Sequence, residues 1–187
     1  MKRVIFRIMA CLVVFWGTMA GATEMQTGFM SYKWGDSASS YPGLERLGEK
    51  GGVHYFSKPG EVYTIDDETI ERVIYGFYQD ELFGVYLNID AIDMYDMVLN
   101  HLISKYGLPS YKGVEGGNKQ VLKWKQQEVT IKLKLDKPKG KLKLAYYYRP
   151  ISKVLNDSQW EELDTSSFRF VPFEKGKERE KFILFEF

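Results

Sequence analysis

The chain's single cysteine, Cys11, falls inside an apolar run near the start, and this limits how the rest can be held together. Met1-Lys2-Arg3 and Arg7 precede an apolar stretch from Ile8 to Trp16, which closes on Gly17-Thr18-Met19-Ala20-Gly21-Ala22. A basic start, a short apolar segment and small residues at the last and third-last positions (Ala22, Ala20) are the parts of a cleavable secretory signal. A spanning helix needs about 20 apolar residues, and the run from Ile8 to Ala22 is shorter and interrupted by Gly and Thr. A lipid anchor would need a cysteine just after the run rather than within it. The expectation is export with cleavage after Ala22, to the periplasm or the extracellular space, and no transmembrane span in what remains.

A mature chain starting at Thr23 has no disulfide, no thiol nucleophile and no cysteine metal ligand. It must fold by core burial alone, and 10 of the 12 Phe and all 13 Tyr remain after Ala22 to supply the apolar area for that. Three of the 26 basic residues and none of the 25 acidic ones lie in the first 22 positions, leaving 23 against 25. That balance gives no overall attraction for nucleic acid.

Periodicity divides the mature chain into many strands and one clear helix. Phe29 to Trp34 reads as a first short strand. Pro42, Leu44 and Leu47 suit a short helix between Ser37 and Gly52. Val53 to Phe56 and Val62 to Ile65 flank Pro59-Gly60, the favoured centre of a type II turn, and so predict a hairpin. Arg72 to Tyr78 and Leu82 to Ile89 predict a second hairpin, apolar on both faces and so central in a sheet. Ile92, Tyr95, Val98-Leu99, Leu102-Ile103 and Tyr106 repeat at helical spacing, with Asp90 as N-cap, Gly107 as terminator and Pro109 beyond. After a glycine-rich loop, Gly113 to Gly117, three strands follow: Val121 to Lys125, Val129 to Leu135 and Lys141 to Tyr148. A short helix capped by Asn156 or Asp157, burying Trp160 and Leu163, and an aromatic and charged tail complete the chain. The tail suits an added edge strand, or a strand offered to a partner. Together these predict an α+β fold, an antiparallel sheet of about six strands with one principal helix packed across it. The predicted organisation is a signal over residues 1–22, an α+β domain over 23–155, and a C-terminal helix and tail over 156–187 packing on that domain.

Phe29-Met30-Ser31-Tyr32-Lys33-Trp34-Gly35, the strand Tyr75-Gly76-Phe77-Tyr78, and the helix end Tyr106-Gly107-Leu108-Pro109 followed by Trp124 resemble a family of small, uncharacterised exported bacterial proteins. The resemblance spans Phe29 to Arg149. It implies an exported α+β domain and brings no activity, so no site residues carry over. A looser similarity is to β-lactamase-inhibitor-like proteins and to the smallest lipoprotein of the outer-membrane barrel-assembly machine, which implies a binding module. Those proteins place their helices before a strand meander, whereas this chain has its clear helix in the middle.

Alternation identifies one candidate surface. With Leu122 and Trp124, Ile131, Leu133 and Leu135, and Leu142, Leu144, Tyr146 and Tyr148 turned inward, the residues Lys123, Lys125, Lys132, Lys134, Lys141, Lys143, Tyr147 and Arg149 turn outward. Such a face could dock an anionic partner: lipid phosphate, a cell-wall polymer or an acidic protein patch. The simpler reading is the wet side of a sheet kept soluble by lysine. The acids Asp66, Asp67, Glu68 and Glu71, and Asp90, Asp93 and Asp96, suit solvated turns and a helix start better than paired glycosidase carboxyls. Neither group has a calcium-loop pattern. His54 and His101 have no nucleophile elbow near them and too few partners for zinc. Gly113 to Gly117 is no phosphate loop, so no cofactor and no metal are expected. A non-enzymatic binding protein of the bacterial envelope is the leading reading, with a hydrolase using Asp66, Asp67 and Glu71 as the alternative. Export makes a direct prediction: mature protein from the native host begins at Thr23 by N-terminal sequencing, and an intact Met1 in the membrane fraction would overturn it.

Overall fold

The computed structural model describes residues 25–70, 72–89, 91–155, 168–173 and 176–185. The signal segment, Asp90, Glu71 and the expected helix after Asn156 lie outside them.

The strands, in chain order, are β1 (Gly28–Phe29), β2 (Tyr32–Lys33), β3 (Glu45–Lys50), β4 (Val53–Ser57), β5 (Glu61–Ile65), β6 (Glu68–Ile70), β7 (Val73–Tyr78), β8 (Glu81–Ile89), β9 (Tyr111–Glu115), β10 (Lys119–Gln126), β11 (Val129–Asp136), β12 (Lys141–Tyr148) and β13 (Glu180–Phe185). Two helices are called α1 (Tyr95–Tyr106) and α2 (Arg149–Ser152). Half of the described residues are in strands and 19% are helical, so the α+β expectation is corrected: this is a mostly β protein. One antiparallel sheet has eight strands, in the order β3-β4-β7-β8-β12-β11-β10-β9. Beside it stand a three-stranded sheet, β13-β5-β6, and the small β1-β2 pair.

The large sheet is two blocks joined at β8 and β12. The β7-β8 hairpin turns through Gln79 and Asp80, both at positive φ, the conformation that matches the twist of two paired strands. The β9-to-β12 meander returns its last strand to β8, with Leu144 opposite Leu87 and Tyr146 opposite Val85. Helix α1 connects the blocks and lays Val98 and Leu102 into the core under the sheet. Gly107 ends it at φ 77°, where its N–H still reaches Ile103 O at 2.8 Å and its own carbonyl accepts from Trp124 Nε1 at 2.8 Å. A side chain there would be strained by the left-handed backbone, which is why glycine holds this position.

The strands missed from sequence are the peripheral ones. Glu45–Lys50, placed in a short helix region by sequence, is the edge strand β3; Tyr111–Glu115, half of it taken for a loop, is the opposite edge β9. An edge strand buries little of either face, so no apolar alternation marks it. The hairpin expected across Pro59-Gly60 is also corrected. The turn itself forms, with Gly60 at φ 85° and Glu61 N–H on Lys58 O at 3.2 Å. Yet β4 pairs with β3 and β7, while β5 leaves for the small sheet.

Glu61 directs β5 to the small sheet. It is only 3% exposed. Its carboxylate accepts from Tyr32 Oη at 3.1 Å on both oxygens, and from Tyr75 Oη. Because Tyr75 spends its one proton there, the 2.8 Å contact between Tyr63 and Tyr75 is donated by Tyr63. One carboxylate thereby ties β2, β5 and β7 together, and the Tyr32 and Tyr75 rings stack at 4.2 Å. Outside it, Lys58 and Glu180 pair at 2.7 Å, and β13 runs parallel to β5 with Glu180 opposite Glu61.

Burial raises the Glu61 pKa above its ordinary 4.5, against the opposing pull of the tyrosine hydroxyls and Lys58. An acid that holds its proton more tightly in the fold than in the unfolded chain makes the native state bind more protons than the unfolded one as pH rises past 4.5. Its contribution to stability is therefore complete below 4.5 and is lost as pH rises through the raised value. Glu61→Gln removes this group's titration, so the melting temperature measured between about pH 5 and 8 should fall less steeply with rising pH than in wild type; parallel profiles would refute the assignment.

Candidate functional site on the outer face and its open edge

Both faces of the large sheet are in use. Under it lies the main core. Above it, around β4, β7, β8 and β12, a second cluster packs Val53, Tyr55, Ile74, Phe83, Tyr86, Ala145, Tyr147 and Leu155, with Phe168 and Phe170 against it. The remaining part of the outer face, over β9, β10 and β11, carries the lysines.

Register brings most of the sequence-predicted residues to that one face. Lys123 opposes Lys132, Lys134 opposes Lys143, Lys125 opposes Thr130, and Lys141 opposes Asp136. Facing cations at cross-strand distance repel, and one carboxylate relieves the central ones. Glu115 of β9 lies 3.4 Å from Lys132 Nζ, 3.1 Å from Lys134 Nζ and 3.9 Å from Lys123 Nζ. The Lys132 side chain is 4% exposed, so much of this cluster is a knitted, half-buried network rather than a solvated array. Lys125 and Lys141 are exposed at its margins. Tyr147 is not a rim residue. It is buried in the second core, edge-on to Tyr86 at 5.5 Å. Arg149 begins α2 and closes the β10-β11 turn, its N–H on Glu128 O at 2.6 Å and its Nη1 on Gln127 O at 2.8 Å.

Sequence reasoning missed Glu115, because it sits in the stretch taken for a glycine loop. The available signal was register: five residues ending in Gly-Val-Glu before a three-residue turn can pair back onto Lys119 to Lys123.

Among the described residues the acids do not converge. Asp66 and Asp67 form the exposed β5-β6 turn, and Asp93 and Asp96 are exposed at the start of α1. A cleft of about 320 Å³ is lined by Glu68, Thr69, Ile70, Arg72, Asn88, Ile89, Ala91 and Met94, with Glu68 its one acid among these residues. Among the described residues no three of His, Cys, Asp and Glu come together as a metal site. His54 Nε2 faces Glu49 at 3.1 Å on the surface. His101 stacks on Phe185 at 4.0 Å, and burial, with Lys105 nearby, lowers its pKa.

The outer edge of β9, which no strand among the described residues pairs, is the other notable surface. Its inner side pairs with β10 over all five residues. Along it Val114 is 67% exposed, Leu108 just before it 82%, and Tyr111 also projects, with Lys123 Nζ over its ring at 5.1 Å. The opposite edge is protected differently. β3 carries Glu45, Arg46, Glu49 and Lys50, an Arg46–Glu49 pair at 2.6 Å and a register break between Arg46 and Gly48. Charge and bulges are the usual defences of an edge, and β9 has no bulge in its ladder. The Glu115 network yields its own prediction: Glu115→Gln lowers stability by about 1–3 kcal/mol, more at low salt, because the lysines lose their shared acceptor. Denaturant titration at two ionic strengths checks it, and an unchanged midpoint would refute it.

No helix among the described residues is long and apolar enough to cross a membrane. Comparison with known proteins found no curated protein and no solved structure that matches this chain. One family model, the TP0088 domain, matches residues 48–158, more than half of the chain. The match runs from within β3 to just past α2 and takes in Glu61, Tyr75, α1, the lysines, Glu115 and all of β9. The chain belongs to the TP0088 domain family, which is uncharacterised.

Proposed function

We propose that this protein is a non-enzymatic interaction module of the bacterial cell envelope, exported to the periplasm, which engages its partner by strand addition at β9. The observation that carries the reading is that edge: unprotected by a bulge and lined by exposed Leu108, Tyr111 and Val114. An open edge offers a row of backbone donors and acceptors, and the alternate side chains beside it set specificity. Lys112 and Lys125, both exposed nearby, favour an added segment that carries carboxylates or phosphates. The export signal in the sequence supports an envelope location. A hydrolase using Asp66, Asp67 and Glu71 lacks such support: Asp66 and Asp67 are exposed on a turn, and Glu71 lies outside the described residues.

The reading predicts site-specific capture in the native host. A photo-crosslinking residue at position 114 gives a discrete adduct in the envelope fraction, and the same residue at position 49 on β3 gives none. Absence of any adduct from position 114, or equal adducts from both edges, would overturn it.

A further inference from the structure

We infer that the strand added at β9 is β9 of a second copy, giving a two-fold dimer with one continuous sheet; this rests on the reading of β9 as the contact edge. The sequence of the strand, Tyr111-Lys112-Gly113-Val114-Glu115, complements itself when run antiparallel. With the axis at Gly113, all five residues pair. Lys112 then lies beside Val114 of the second copy, and Tyr111 beside Glu115 of the second copy. No like charges oppose each other in this register.

Three observations favour this register. First, Tyr111, Gly113 and Glu115 pair with Lys123, Val121 and Lys119, so they share the lysine-bearing face. Lys123 Nζ sits over the Tyr111 ring, so Glu115 of the second copy arrives next to a cation. Second, Gly113 has no side chain, and the Tyr111 hydroxyl folds over it, where a Cβ would come within 2.2 Å. The crossing point is therefore already covered on the outer face by an aromatic, the arrangement that compensates for glycine in strands. Third, the neighbouring registers are worse. Moving the axis to Lys112 sets that lysine against itself and brings in Pro109, which has no N–H to donate. Moving it to Val114 leaves only three residues of the strand paired. Joining two eight-stranded sheets this way also covers the β9 edge of each, which no strand among the described residues pairs, and pairing with an identical strand is a common closed, isologous solution.

The test is a charge swap read by sedimentation velocity across a concentration series. Wild type dimerises in the micromolar range, as a joint of this size allows. Val114→Lys places a lysine opposite Lys112 of the second copy and weakens self-association by at least about tenfold. Lys112→Glu combined with Val114→Lys restores it, because the opposed residues become Glu and Lys. Both positions are exposed, and an unchanged circular dichroism spectrum and melting temperature confirm that each variant is folded. A wild type that stays monomeric to about 100 µM, or a double variant that fails to recover, overturns the self-pairing. If the protein is monomeric and the crosslinker at position 114 still captures a different envelope protein, self-pairing falls and the edge reading stands. If neither association is seen, both fall.

Discussion

The arrangement of this protein depends on a buried carboxylate. Moving a glutamate out of water costs several kcal/mol unless its oxygens are satisfied. Glu61 meets that cost with hydroxyls from two other elements, Tyr32 on β2 and Tyr75 on β7. The need for those partners pulls β5 away from the neighbour that sequence order offers, β4, and across to the small sheet. Once there, β5 becomes the template on which β13 pairs in parallel and β6 turns back. The tail of the chain is thus organised around a group more than a hundred residues earlier.

With the small sheet, α1 and the β1-β2 pair covering one face, the large sheet would ordinarily leave its other face wet. Here the central strands are apolar on both sides, and the second face builds its own core around Tyr55, Tyr86 and Tyr147. Lysines take over only where this second core ends. This explains why Glu115 matters: at the boundary between a dry and a wet surface, lysines on adjacent strands are partly desolvated, and a shared acid keeps their repulsion down. The lysine face is therefore first a solution to a packing problem. Its exposed margin, along β9, is where contact with another molecule becomes available.

The two ends of the large sheet show opposite solutions to the same hazard. β3 is charged and broken in register, a poor template for another strand. β9 is regular and short, and exposes Val114 within it and Leu108 three residues before it. A protein that breaks the register of one edge and keeps the other regular has an asymmetric tendency to associate, and that asymmetry is the structural basis for proposing the contact at β9.

The central elements were legible in the sequence because their constraints are local. Along β7, β11 and β12 successive residues turn to opposite faces of the sheet, so alternation gave their faces correctly, down to Val73, Tyr75 and Phe77 on one side with Ile74 on the other. Helix α1 declared itself by spacing and by Gly107, whose left-handed backbone only glycine adopts cheaply. The type II turn at Pro59-Gly60 was equally readable, but its consequence was not: a turn fixes the local chain reversal and not which strand lies beside which. Strand partners, the burial of Tyr147, and the meeting of Glu115 with Lys132 and Lys134 all follow from contacts between residues far apart in sequence. The same holds for the class of the fold, since β3 and β9 bear no pattern of their own and exist as strands only because a neighbour offers backbone hydrogen bonds. Sequence alone determined the helix, the core strands and their faces, through local periodicity and backbone sterics. Tertiary structure decided the edges, the second core and the place of every buried charge, because desolvation is balanced only by partners that the fold brings together.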